Sequence, residues 1–144
     1  MVMSASSQGV VSLVGMQNLT ALRQLFLWGN SITDLTPLGG LTGLEELWLS
    51  SNSLSDISAL SELTNLRGLY LYFNSITDVT PLRWLTSLQG LYLQFNRNLA
   101  QIEPLLDNIG LVAGDLVNLR STSVTCQHIG FLEANGVTVI SDCE

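Results

Sequence analysis

The chain has 144 residues, 47% of them hydrophobic, with 5 Arg, no Lys and 12 Asp or Glu for a net charge of −7. It is long enough for one domain with a sizeable core and too apolar to be disordered. Nucleic acid and anionic membranes need clustered positive charge, which 5 scattered arginines do not supply, and no apolar run approaches the roughly 20 residues that span a bilayer.

In chain order, the opening residues MVMSASSQG lack the basic and apolar regions of a signal peptide. Met3, Ala5, Gln8, Val10 and Leu13 anticipate Leu25, Leu27, Asn30, Ile32 and Leu35 by 22 positions. Residues 3–18 therefore read as a degenerate first repeat that the numbering enters partway, with a strand expected at residues 3–5. Four units follow over residues 19–108. They read LTALRQLFLWGNSITDLTPLGG, LTGLEELWLSSNSLSDISALSE, LTNLRGLYLYFNSITDVTPLRW and LTSLQGLYLQFNRNLAQIEPLLDN, the last with one residue inserted after Asn96. Residues 109–144 read as a cap. Val117 and Leu119 belong to a sixth strand, and Thr122 stands where the units carry Asn. CQHIGFLEA is expected to form a short helix over about 126–134 with Ile129, Leu132 and Phe131 inward, stopped by Asn135-Gly136. VTVI can add a last strand.

The units match L-x-x-L-x-L-x-x-N-x-L, the leucine-rich-repeat pattern. The continuation I-T-D-[LV]-x-P-L and the period of 22 resemble the internalin-type subclass, and the resemblance covers nearly the whole chain. It implies a single α/β domain over residues 1–144. The expected fold is a right-handed solenoid with one parallel sheet on its concave face, short 3₁₀ and turn segments on its convex face, and a C-terminal cap like those of bacterial leucine-rich-repeat proteins. Internalins carry an N-terminal helical cap for which this sequence leaves no room. The resemblance also suggests a secreted or cell-surface protein, with a cytoplasmic location as the alternative.

Three repeated positions have structural explanations. Asn30, Asn52, Asn74 and Asn96 can turn inward and bond the backbone groups that each bend leaves unpaired. Asp34, Asp56 and Asp78 stand where a side chain can cap the first turn of a short helix, a better account of the column than calcium. Pro37, Pro81 and Pro104 suit convex turns.

Three outward columns are not explained by folding. They hold Phe26, Trp48, Tyr70 and Tyr92; then Trp28, Ser50, Tyr72 and Gln94; then Gly29, Ser51, Phe73 and Phe95. Eight of the chain's 10 aromatics fall on these 12 positions, where random placement puts about one. Cross-strand aromatic pairs stabilise a sheet by about 0.2–1 kcal/mol each, yet that does not explain why the concave side carries rings while the core uses leucine. Large exposed aromatic patches mark binding surfaces. The expected partner-binding residues are thus Phe26, Trp28, Trp48, Tyr70, Tyr72, Phe73, Tyr92 and Phe95, with Arg23, Glu46 and Arg67 beside them. Arg23, Glu45 and Arg67 alternate in one column, which reads equally as cross-strand ion pairing or as a polar rim. Gly68 and Gly90 leave space for a ring or for a partner's backbone.

No catalytic motif stands out. His128 is the only histidine, and paired carboxylates at a cleft, a phosphate loop and a G-x-S-x-G are all missing. Cys126, His128 and Cys143 do not have a recognised zinc spacing. Cys126 and Cys143 fit better as a disulfide if the protein is exported, with free thiols as the alternative. The sequence thus points to a non-catalytic protein-binding module without cofactor. A carbohydrate binder stacking sugars on the rings and a self-associating repeat or intracellular scaffold, including a homodimer, remain as alternatives.

Overall fold

In the computed structural model, which describes residues 1–143, seven three-residue strands form one sheet. They are β1 (Val2–Ser4), β2 (Gln24–Phe26), β3 (Glu46–Trp48), β4 (Gly68–Tyr70), β5 (Gly90–Tyr92), β6 (Leu116–Asn118) and β7 (Thr138–Ile140). The strands lie in sequence order and every pairing is parallel. Met3, Leu25, Leu47, Leu69, Leu91, Val117 and Val139 occupy one rung position across the sheet. The first strand begins one residue earlier than expected, because Val2 pairs with Gln24 when Met3 takes the Leu25 place.

The middle residue of each strand points inward and its two neighbours point out, as strand alternation requires. One turn of the solenoid buries Leu44, Leu47, Leu49, Leu54, Leu60 and Leu63 completely, and Ile57 almost so. Burying each such side chain is worth about 1.5–3 kcal/mol, and a single turn cannot hide its leucines without its neighbours. The stack therefore supplies the stability, and the outward positions are free of that duty.

The asparagines close each bend. Asn52 Nδ2 donates to the carbonyls of Leu27 and Leu49, both at 3.0 Å, while its Oδ1 accepts from Ile32 N at 3.0 Å. Asn74 and Asn96 repeat this, and Thr122 Oγ1 donates to Leu119 O at 2.7 Å where the column has lost its Asn. Asp34, Asp56 and Asp78 accept from the N–H groups of Thr36, Ser58 and Thr80, each at 2.8 Å. These are the first residues of the 3₁₀ turns Thr36–Leu38, Ser58–Leu60 and Thr80–Leu82, so each aspartate acts from one position before the cap residue itself. Hydrogen bonding from the side chain and then the backbone of Thr36 holds the Asp34 carboxyl below its ordinary pKa, and the backbone and then the side chain of Ser58 do the same for Asp56.

Two helices close the C-terminal end. Helix α1 (Glu103–Leu106) takes the place of a 3₁₀ turn, and α2 (Cys126–Ala134) packs on β7 and α1. Ile129 and Leu132 are buried, but Phe131 is 50% exposed and does not point inward. At 3.6 residues per turn, residue 131 lies across the helix from residue 129, so the two cannot both face the core. Helix α2 ends at Asn135, and Gly136 takes φ 87°, the left-handed stop that glycine adopts without strain. A disulfide joins Cys126 to Cys143 and ties the start of α2 to the tail.

Candidate binding face

Phe26, Trp48, Tyr70 and Tyr92 stand in register on β2–β5. Successive ring centroids are 5.7, 3.7 and 4.6 Å apart, and the interplanar angles fall from 40° to 18° to 8°. Parallel strands are spaced about 4.8 Å apart, which sets a pitch close to that of stacked rings. The rings therefore turn their faces along the solenoid toward one another and present their edges to the concave space. Gly68 and Gly90 explain the rest of their pose. A Cβ on Gly68 would lie 3.3 Å from Tyr70 Cε2, and one on Gly90 would lie 3.2 Å from Tyr92 Cε2. Each tyrosine leans back over the glycine two residues before it, so the space expected there holds the chain's own ring. Burial raises the Tyr70 phenol above its ordinary pKa, with smaller contributions from Tyr92, Glu46 and Tyr72.

A second aromatic group lies at the C-terminal ends of the strands. Phe73 and Phe95 stack at 4.2 Å with planes within 1° of parallel, and Tyr72 meets Phe73 edge-on at 6.0 Å. The backbone here is informative. In the column Ser7, Gly29, Ser51, Phe73, Phe95 and Ser121, every residue has a left-handed φ, between 54° and 69°. The turn that precedes the Asn position of each repeat, held by Gln8 and Thr122 at the two ends, imposes that conformation. Glycine tolerates it and serine is small, but a non-glycine residue costs roughly 1–2 kcal/mol there. Phe73 bears that cost with its ring 51% exposed, so only the buried half of the ring and its stack on Phe95 offset the strain. Trp28, 45% exposed, stands two strands away across Ser50, which is fully buried with its Oγ unpartnered.

The opposite edge of the face carries the charges. Arg23 Nη1 bonds Glu45 Oε1 at 2.7 Å, an exposed pair worth little on its own. Arg67 makes no ion pair among the described residues, so two members of the alternating column are paired and the third is available. Glu46 lies in register with Gly68 and shares a cavity with Arg67 and Tyr70. The face thus runs from a charged rim (Arg23, Glu45, Glu46, Arg67), over the stacked ladder, to an uncharged lip (Trp28, Ser50, Ser51, Tyr72, Phe73, Gln94, Phe95). The sequence columns missed Gln89, which follows Arg67 by one repeat and lines the same cavities; the period of 22 was the signal that could have found it.

No group of His, Cys, Asp or Glu among the described residues is arranged to hold a metal ion. Cys126 and Cys143 are bonded to each other, so neither offers a thiolate, and no helix is long and apolar enough to cross a membrane.

The family profile described as Leucine Rich repeats (2 copies) matches residues 20–62 and 64–108. A comparison with curated proteins gives no significant match. Among solved structures, an internalin (InlF) from Listeria monocytogenes is 34% identical with a TM-score of 0.85 over 99% of this chain. This chain spans 42% of that internalin, less than half its length. A leucine-rich-repeat protein of Leptospira interrogans is 24% identical over 90% of this chain and 34% of its own length, with a TM-score of 0.79. A plant peptide hormone receptor, RGFR1, solved in complex with RGF2, is 23% identical over 98% of this chain and 24% of its own, with a TM-score of 0.76. The last two likenesses concern the fold alone.

Proposed function

This chain belongs to the leucine-rich-repeat family, with repeats of the internalin type, and on that premise we propose that its concave face is a non-catalytic binding surface for another protein. Leucine-rich-repeat domains commonly bind proteins. The observation that carries the reading is Phe73, a half-exposed ring on a left-handed backbone at a position that four of its five counterparts in the column fill with Gly or Ser. Residues held in strained backbone conformations cluster at ligand clamps and other functional sites. The contact residues are Trp28, Tyr72, Phe73 and Phe95 at the lip, the ladder Phe26, Trp48, Tyr70 and Tyr92, and Arg23, Glu46 and Arg67 at the rim. Aromatic residues across the middle of the face, with Arg among the contacts at its rim, fit the composition of binding hot spots. The plant receptor, a protein of the same fold, has been solved in complex with RGF2.

A sugar platform is less well supported. Carbohydrates stack on open ring faces, and in the ladder those faces lie against one another at 3.7–5.7 Å. The disulfide favours an exported protein, because such bonds persist in oxidising compartments.

The test is selection of a random peptide display library on the immobilised chain. Enriched peptides should bind the Tyr72→Ala/Phe73→Ala double variant at least tenfold more weakly, or about 1.4 kcal/mol, while circular dichroism reports an intact fold. Peptides that bind both proteins equally well would place the binding surface elsewhere.

A further inference from the structure

We infer that the groove around Arg67 receives a carboxylate side chain from the bound partner. This rests on the concave-face reading and adds the chemistry of one contact. Two cavities meet at Arg67 and Gln89, one of about 280 Å³ on the concave floor and one of about 370 Å³ on the flank. The floor of the first is Gly68 and Gly90, paired in register, and Tyr70 forms a wall. The second continues past Asn65 and Thr86. A groove that opens on both sides of Arg67 suits a chain passing through it, not one that ends there. That geometry selects a side-chain carboxylate over a chain terminus.

Among the described residues, Arg67 is the one cation that lines the groove. Arg23, Arg83 and Arg120 each have a carboxylate partner, in Glu45, Asp107 and Asp142. Arg67 has none among the described residues, although three carboxylates line the same groove. Glu45 is engaged by Arg23 at 2.7 Å, and Asp115 Oδ2 accepts from Val112 N at 2.8 Å. Glu46, across the glycine floor, has no ion pair among the described residues and lines the groove's other side. A guanidinium offers a planar fork of donors that matches a carboxylate in two parallel hydrogen bonds. Gln89 and Thr86 stand beside it with further donors. Bare glycine backbone lets the partner's main chain approach closely enough for its side chain to reach Arg67.

The test titrates the isotope-labelled full chain with three small probes: N-acetyl-aspartate methylamide, its neutral asparagine counterpart, and N-acetyl-leucine with a free terminal carboxylate. The readouts are the five arginine Nε–H resonances and the Gly68 and Gly90 amides. The aspartate probe should give saturable shifts at Arg67, Gly68 and Gly90, several-fold larger than at the exposed and unpaired Arg97, and lost in Arg67→Gln. Equal shifts at Arg97, shifts that persist in Arg67→Gln, or equal shifts with the asparagine probe overturn the inference. Stronger shifts with N-acetyl-leucine overturn the choice of side chain over terminus. The display-selected peptides separate the two readings. Peptides weakened by Tyr72→Ala/Phe73→Ala but not by Arg67→Gln refute the carboxylate contact alone, and peptides indifferent to both variants refute the binding face.

Discussion

Replacing Phe73 once by glycine and once by alanine isolates the backbone strain at the lip. Both variants lose the stack on Phe95, worth about 0.5–1.5 kcal/mol, and the half of the ring that is buried, worth about 1 kcal/mol. Those losses cancel between the two, which differ only in a Cβ. At φ 55° that Cβ carries roughly 1–2 kcal/mol of strain, and the greater freedom of unfolded glycine offsets about 0.5–1 kcal/mol. Phe73→Gly should therefore be more stable than Phe73→Ala by about 0.5–1 kcal/mol, or about 2–4 °C in Tm for a chain of this size. Thr77, exposed and outside the left-handed region, is the control. There alanine should exceed glycine by about 0.5–1 kcal/mol. Urea unfolding followed by circular dichroism measures both pairs. If Phe73→Ala equals or exceeds Phe73→Gly, the lip is not strained and the main argument for a functional role of the ring fails.

Asn96 is fully buried and bonds Leu71 O, Leu93 O and Ile76 N, so Asn96→Ala should cost about 2–4 kcal/mol by stranding those groups, seen as a lower urea midpoint. Replacing both Cys126 and Cys143 by Ser should cost about 3 kcal/mol by loop-closure entropy over the 17-residue separation; an unchanged midpoint would mean that the cap holds without its staple. The Asp34 and Asp56 carboxyls titrate below the ordinary 3.8, so their contribution is present above pH 3.8 and is lost as pH falls through the folded-state values. Acid unfolding of Asp34→Asn should accordingly show a weaker dependence on pH in that window than the wild type. The Tyr70 phenol is held above 10.0, so ultraviolet difference titration should find it ionising after an ordinary tyrosine, and Tyr70→Phe should remove that late step.

The rungs were legible in the sequence because their cause is local and periodic. Leu47 and Leu69 must lie inward for any unit to hide its apolar side chains, and the Asn at each bend has a bonding duty that recurs every 22 residues. Phe131 was misread for a related reason. Three apolar residues in a short helix suggest an inward face, and only the helix's rotation against β7 decides which of them it contains. The aromatic columns were visible as columns, but not the pose of their rings. Nothing in LYLYFN says that Tyr70 folds back over Gly68 while Phe73 swings out on a left-handed turn, because both depend on neighbours a full repeat away.

The sequence by itself therefore determined the repeat, the inward leucines, the Asn column and the aromatic face, since each follows from alternation and period alone. The tertiary structure decided which rings are stacked shut, which stand open at a strained lip, and which arginines gain a carboxylate partner. Those outcomes come from competition among side chains one strand apart: Glu45 lies between Arg23 and Arg67, and its carboxylate pairs with Arg23.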